Sequence, residues 1–195
     1  MTKLSLQTFF SPPSFSYVSC VQTHGTELFF VKHLEKPPHP TADGIITTTK
    51  NIPVGIRTAD CMAITFFDKT LPLLCHIHAG FKGISQNMVQ KTFLTLQQEY
   101  GVLSKNLKII SSPFIQVCCA KFSNPLRELP SFLHSYVHNF CLDMRSFVYD
   151  ECLKNGVLSK NILLSSQCTC CHKKFPSYRR NKTQDRMIHI ATIID

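Results

Sequence analysis

Three residues of metal-binding type sit in short polar contexts: His24 in "VQTHG", Cys61 in "TADC" and His78 in "HIHAG". Two imidazoles and one thiolate can hold Zn²⁺ and leave its fourth position to water or substrate, the ligand count of a catalytic site. The same atoms offer a rival chemistry, with Cys61 as nucleophile and His78 as its base. Asp60, beside Cys61, suits an outer partner that orients an imidazole, a proton carrier or a turn cap. A second cluster lies in "CTCCH", with Cys168, Cys170, Cys171 and His172. It resembles half of a structural zinc knuckle, but no second CxxC or HxxxH follows nearby, and adjacent ligands strain a tetrahedral site.

Charge points to an anionic partner. The formal net charge is +9, and much of it falls in "CHKKFPSYRRNKTQDRM". There Lys173, Lys174, Arg179, Arg180, Lys182 and Arg186 face only Asp185. Such a segment suits phosphate groups, nucleic acid or water. A chain of 195 residues, 44% hydrophobic and 17% charged, is an ordinary globular protein with room for one sizeable core. The apolar runs are strand-length, which excludes a membrane helix. The opening "MTKLSLQTFFSPPSF" makes a poor signal peptide, so a cytoplasmic location and reduced cysteines are expected.

The positioning elements are mostly strands. "VSCVQTHGTELFFVKHL" reads as a strand pair and "EKPPHPTADG" as a loop, because its prolines forbid helix and central strand. "GIITTT", "IPVGIRT", "MAITFFD" and "LPLLCHIH" are β-branched or aromatic runs bounded by turn residues. "ISQNMVQKTFLTLQQEYG" predicts a helix closed by Gly101. Strand "LKIIS", helices "PSFLHSYVHNF" and "MRSFVYDECLKNG", and strands "NILLSS" and "RMIHIATIID" complete an α+β or α/β domain.

The ordered motifs "VQTHG", "ADGIITT", "IRTADC", "HIHAGFKG", "CLDM", "CTCC" and "FPSYRR" resemble the laccase-domain proteins from about Val18 onward. That family was called multicopper polyphenol oxidoreductase and is also known as peptidoglycan-editing-factor-like. The resemblance implies a single α+β domain, residues 1–195, built as a four-layer α/β/β/α sandwich with mixed sheets. It implies zinc held by His24, Cys61 and His78, with Cys61, Asp60, Arg179 and Arg180 as catalytic residues. The implied activity is zinc-dependent purine nucleoside phosphorylase, acting on adenosine, inosine and methylthioadenosine, with adenosine deaminase activity. Its partners are purine nucleosides and phosphate, not nucleic acid or membrane.

Some positions depart from the family. Phe81 and Lys82 replace Trp and Arg after "HAG", and Lys lacks the planar guanidinium fork. Ser112, Ala120 and Lys121 replace a Gly and a Tyr–Glu pair in "SPFIQVCCAKF", and the stretch before Gln22 is short for the family. Copper is less expected than zinc, since His33, His39, His134, His138 and His189 lack the paired motifs of multicopper centres. A Cys–His or metal-dependent hydrolase of peptidoglycan quality control and a basic nucleic-acid-binding domain with a zinc knuckle are the alternatives.

Overall fold

Continuous β-branched, aromatic and apolar runs place the strands "MAITFFD" and "LLCHIHA" at the centre of the larger sheet, because each must bury both of its faces. The computed structural model describes residues 2–34, 39–68 and 70–195. In chain order the strands are β1 (Lys3–Phe9), β2 (Leu28–Val31), β3 (Gly44–Thr47), β4 (Val54–Thr58), β5 (Met62–Asp68) and β6 (Leu73–Ala79). Then come β7 (Leu107–Ser111), β8 (Val137–His138), β9 (Cys141–Leu142), β10 (Ile162–Leu163) and β11 (Met187–Ile194). The helices are α1 (Phe81–Ser85), α2 (Met88–Tyr100), α3 (Pro125–Glu128), α4 (Met144–Lys154) and α5 (Tyr178–Asn181).

Six strands form a mixed sheet in the order β10-β7-β5-β6-β3-β2, and β1-β11-β4 form a three-stranded antiparallel sheet. On one face of the large sheet, Met62, Ile64 and Phe66 of β5 share a core with Val89, Phe93 and Leu96 of α2. Phe66 and Phe93 meet edge to face at 5.2 Å, and truncating Phe93 to Ala would cost about 3–5 kcal/mol. On the other face, Phe67 and Leu74 pack with Val54, Ala191 and Ile193 of the small sheet. The fold is a mixed α+β sandwich of stacked sheets, as the sequence leads one to expect.

The layer between the sheets holds a polar network as well. His76 bonds Thr65 Oγ1 through Nδ1 at 3.0 Å, and its Nε2–H donates to the carbonyl of His189 at 3.0 Å. His189 in turn meets Thr8 Oγ1 at 3.0 Å and Thr58 Oγ1 at 2.9 Å. Burial pushes His76 down to about 4 and His189 down to about 3, so both stay neutral.

Several local expectations change. The N-terminal stretch is strand β1, paired with β11 from Lys3–Ile194 to Phe9–Ile188, so the protein's last strand depends on its first. Val18 and Val21 make single bridges, to Val54 and Thr41, and β2 is the one full strand of the expected pair. The helix expected from Ile84 is interrupted, since Asn87 adopts a left-handed φ of 63° between α1 and α2. Gly101 does cap α2, at φ 64°. "PSFLHSYVHNF" becomes a 3₁₀ turn over Ser131–Tyr136 running into β8, and "NILLSS" contributes only the two residues of β10. Residues 35–38 of the Pro-rich loop lie outside the described residues.

Candidate functional site

The site forms where the central strands end. His78 lies near the end of β6 and points to the same face as His76, one pleat further along. Cys61 immediately precedes β5, after Asp60 takes a φ of 93°. His24 sits in the turn before β2 with φ 61°, a left-handed conformation that something must hold. The holding group is Asp43. Its carboxylate accepts from the backbone N–H groups of Thr23 at 3.0 Å, His24 at 3.0 Å and Gly25 at 2.7 Å, and from the Thr23 hydroxyl at 3.1 Å.

Asp43 also accepts from His78 Nδ1 at 2.8 Å, which leaves Nε2 of that ring to face the site. One fully buried carboxylate therefore positions both imidazoles. Burial alone would raise its pKa, but bonds from His78, Gly25 and Thr23 outweigh it and hold Asp43 well below the usual range. Burial works against charge on His78 and Cys61 too. Asp43 and Cys61 nevertheless carry His78 up to about 9, and the His24 and His78 rings bring Cys61 down to about 7.

The donor atoms of His24, Cys61 and His78 lie within 4.8 Å of one another. The two rings meet edge to face with centroids 4.8 Å apart. Gly80 is required here, because a Cβ would come 2.6 Å from Cys61 Sγ. Ionisable sulfur, oriented imidazole and a backbone pared to glycine around them fit a bound metal ion.

Above this triad opens a cleft of about 670 Å³. Phe81, Ile115, Phe122, Met144 and Tyr178 supply its apolar wall, with Phe81 and Phe122 edge to face at 5.2 Å. Arg57, Lys82, Arg179 and Arg186 line it with positive charge. Arg57 and the cleft position of Arg186 have no local sequence signature, since strand β4 and the approach to β11 bring them in. Size and lining match a small, partly aromatic anion or nucleoside.

The other expected site residues separate. Asp60 lines the cleft, but its carboxylate accepts from Thr169 Oγ1 at 2.7 Å and Arg179 N at 2.6 Å. Asp43, missed as a site residue in the sequence, is the carboxylate that orients the imidazole. Arg179 reaches the cleft while its Nη1 donates to the carbonyls of Cys119 and Lys121 at 2.9 and 2.7 Å. Arg180 is turned away. Its guanidinium donates to the carbonyls of Thr169, Cys170 and Phe175 at 2.9, 3.0 and 2.7 Å. It holds a turn and is not among the residues that line the cleft.

The knuckle "CTCCH" finds partners that its own neighbourhood in sequence lacks. Cys168 and Cys171 meet Cys118 and Cys119, and all four sulfurs lie within 4.8 Å of one another. His172 is not among them.

The family model described as multi-copper polyphenol oxidoreductase laccase matches residues 3–194, and the chain belongs to that family. The match takes in β1, further toward the N-terminus than the motifs reach. A purine nucleoside phosphorylase of Aquifex aeolicus is 28% identical over 175 residues, covering 89% of this chain and 81% of that protein. Purine nucleoside phosphorylases of Clostridium acetobutylicum and Borreliella burgdorferi are 30% and 32% identical; the chain spans 64% and 63% of their lengths. The crystal structure of YlmD from Geobacillus stearothermophilus superposes with a TM-score of 0.83 at 23% identity, covering 92% of this chain and 74% of that one. The hypothetical protein YfiH of Bacillus licheniformis gives 0.82 at 20% identity, over 91% and 74%.

Proposed function

We propose that this protein is a zinc-dependent purine nucleoside phosphorylase with a secondary adenosine deaminase activity, working in the cytoplasm. The observation that carries the reading is the convergence of His24, Cys61 and His78 at the floor of a cation-lined cleft. The names of the relatives support the substrate class, and the donor set of one thiolate and two imidazoles favours zinc over copper.

Zinc held by His24, Cys61 and His78 would supply a Lewis acid beside the reacting atoms. The chain does the rest. Phe81, Phe122 and Tyr178 offer aromatic surface to the purine of adenosine, inosine or methylthioadenosine. Arg57, Lys82, Arg179 and Arg186 attract hydrogen phosphate and hold it against the ribose. Phosphate oxygen bonds to C1′ as the bond from C1′ to the purine nitrogen breaks. The electron pair leaves with the base, and the proton of hydrogen phosphate ends on it, giving ribose 1-phosphate. The positive charge developing on the sugar sits next to the bound dianion. In deamination, water replaces the C6 amino group, which leaves as ammonia. Asp43 keeps the proton on His78 Nδ1 and so fixes the ring that faces the cleft.

Purified protein with inosine and phosphate should release hypoxanthine and ribose 1-phosphate, read by chromatography against a Cys61→Ala control. Adenosine without phosphate should yield inosine. Zinc-loaded protein no more active than the control on any purine nucleoside would refute the reading. The line Cys61–His78–Asp43 also favours a second reading, a Cys–His hydrolase, since a nucleophile, a base and an orienting group stand in sequence. That enzyme would stay active after complete zinc removal and be inactivated by alkylation of Cys61. The phosphorylase would lose activity with its zinc.

A further inference from the structure

We infer that Cys118, Cys119, Cys168 and Cys171 form a second metal site, a structural tetrathiolate centre for zinc that staples the rim of the cleft. The sulfurs of Cys118 and Cys119 lie 3.6 and 3.4 Å from that of Cys171. A disulfide needs about 2.05 Å, whereas sulfurs bound to one tetrahedral zinc at about 2.3 Å stand about 3.8 Å apart. The separations are too long for a disulfide and close to those of shared ligation. Cys168 and Cys171 are the CxxC pair of a knuckle, and Cys118 and Cys119 supply the remaining ligands from a turn some fifty residues away. Adjacency strains such a pair, but this turn already brings both sulfurs within 3.6 Å of that of Cys171.

The backbone already holds the two turns together. Phe114 bridges Cys168, with its N–H donating to Gln167 at 3.3 Å and its carbonyl accepting from Thr169 at 3.1 Å. The N–H of Gln116 points at Cys168 Sγ, 3.5 Å away, as amides do toward ligating thiolates. When zinc binds, four thiols release their protons to solvent, and the centre carries two negative charges. Arg179 and Arg180 tie down the two turns that carry it. The first donates to the carbonyl of Cys119 in one turn, the second to those of Thr169 and Cys170 in the other. Cys119 is followed directly by Ala120, which lines the cleft, so the centre would fix that wall and the approach of Arg179. Two exposed sulfurs, Cys118 and Cys171, give the ion its way in. Redox chemistry at these cysteines is the competing outcome of the test.

The test is native mass spectrometry of zinc-loaded full-length protein, kept reduced. Wild type should carry two zinc ions, the double variant C168S/C171S one, and Cys61→Ala one. Cobalt loading should give the stronger thiolate charge-transfer absorption in Cys61→Ala, which keeps four thiolates, than in the double variant, which keeps one. Should the double variant fail to fold, Cys118→Ser removes an exposed ligand, and one zinc should then pass to a chromophoric chelator at least about tenfold more readily. A wild-type protein with a single zinc that survives in C168S/C171S would overturn the proposal. So would a disulfide among these cysteines in protein kept reduced, read after zinc removal and denaturation as a mass lower by two hydrogens. Neither outcome bears on the triad of His24, Cys61 and His78, whose metal is read in the same spectra.

Discussion

His76 and His78 stand two residues apart on one strand, face the same side and are both buried, yet they do opposite work. Inside the sandwich, His76 meets a threonine hydroxyl and a carbonyl, so burial wins and its pKa falls to about 4. At the open end, His78 meets the Asp43 carboxylate and a thiol, and these overcome the same burial to lift it to about 9. Partners brought by other elements, more than depth, separate a framework histidine from a working one.

The largest effects should come from the open end. Cys61→Ala leaves two imidazoles, and the metal held there should be lost almost completely, with phosphorolysis falling to background. His76→Gln should leave that metal in place while lowering the denaturation midpoint. If His76→Gln also empties the triad, the two regions are coupled and the contrast fails. Asp43→Asn should come next, weakening zinc at the triad by about 10–100-fold, since both imidazoles lose their anchor. Competition with a chelator measures it, and an unchanged affinity would show that Asp43 serves the fold alone.

The sandwich interior should reveal itself through pH. Folded His76 and His189 have pKa values of about 4 and 3, below the unfolded value near 6.5. The unfolded chain therefore takes up protons first as pH falls. Stability is complete above about pH 6.5 and declines below it, by about 2 kcal/mol per histidine at pH 5. Urea unfolding at pH 7 and pH 5 should show the loss, and His189→Gln should flatten it. An equal slope in wild type and variant would take these rings out of the account. The smallest effect is expected at the rim, where Lys82→Arg restores a planar fork and should lower the KM for phosphate a few-fold, with kcat little changed.

Much of this was legible in one dimension. Strand runs such as "MAITFFD" and "LLCHIH" are short, β-branched or aromatic and bounded by turn residues, so the central strands declared themselves. Weakly apolar "KLSLQTF" did not, because its strand depends on β11 at the far end of the chain. The left-handed turn at Asn87 that splits α1 from α2 was equally silent, since apolar spacing runs straight across it.

The sequence by itself determined the ligand types, their motif contexts and the excess of positive charge, because these are properties of single residues and short neighbours. Only the tertiary structure decided which groups meet. It put Asp43 beneath both imidazoles, turned Arg180 onto carbonyls and gave "CTCC" a partner in Cys118 and Cys119. The Asp43–His78 and Cys118–Cys171 pairings span 35 and 53 residues. No local spacing rule encodes such distances; sheet register and the turns at strand ends do.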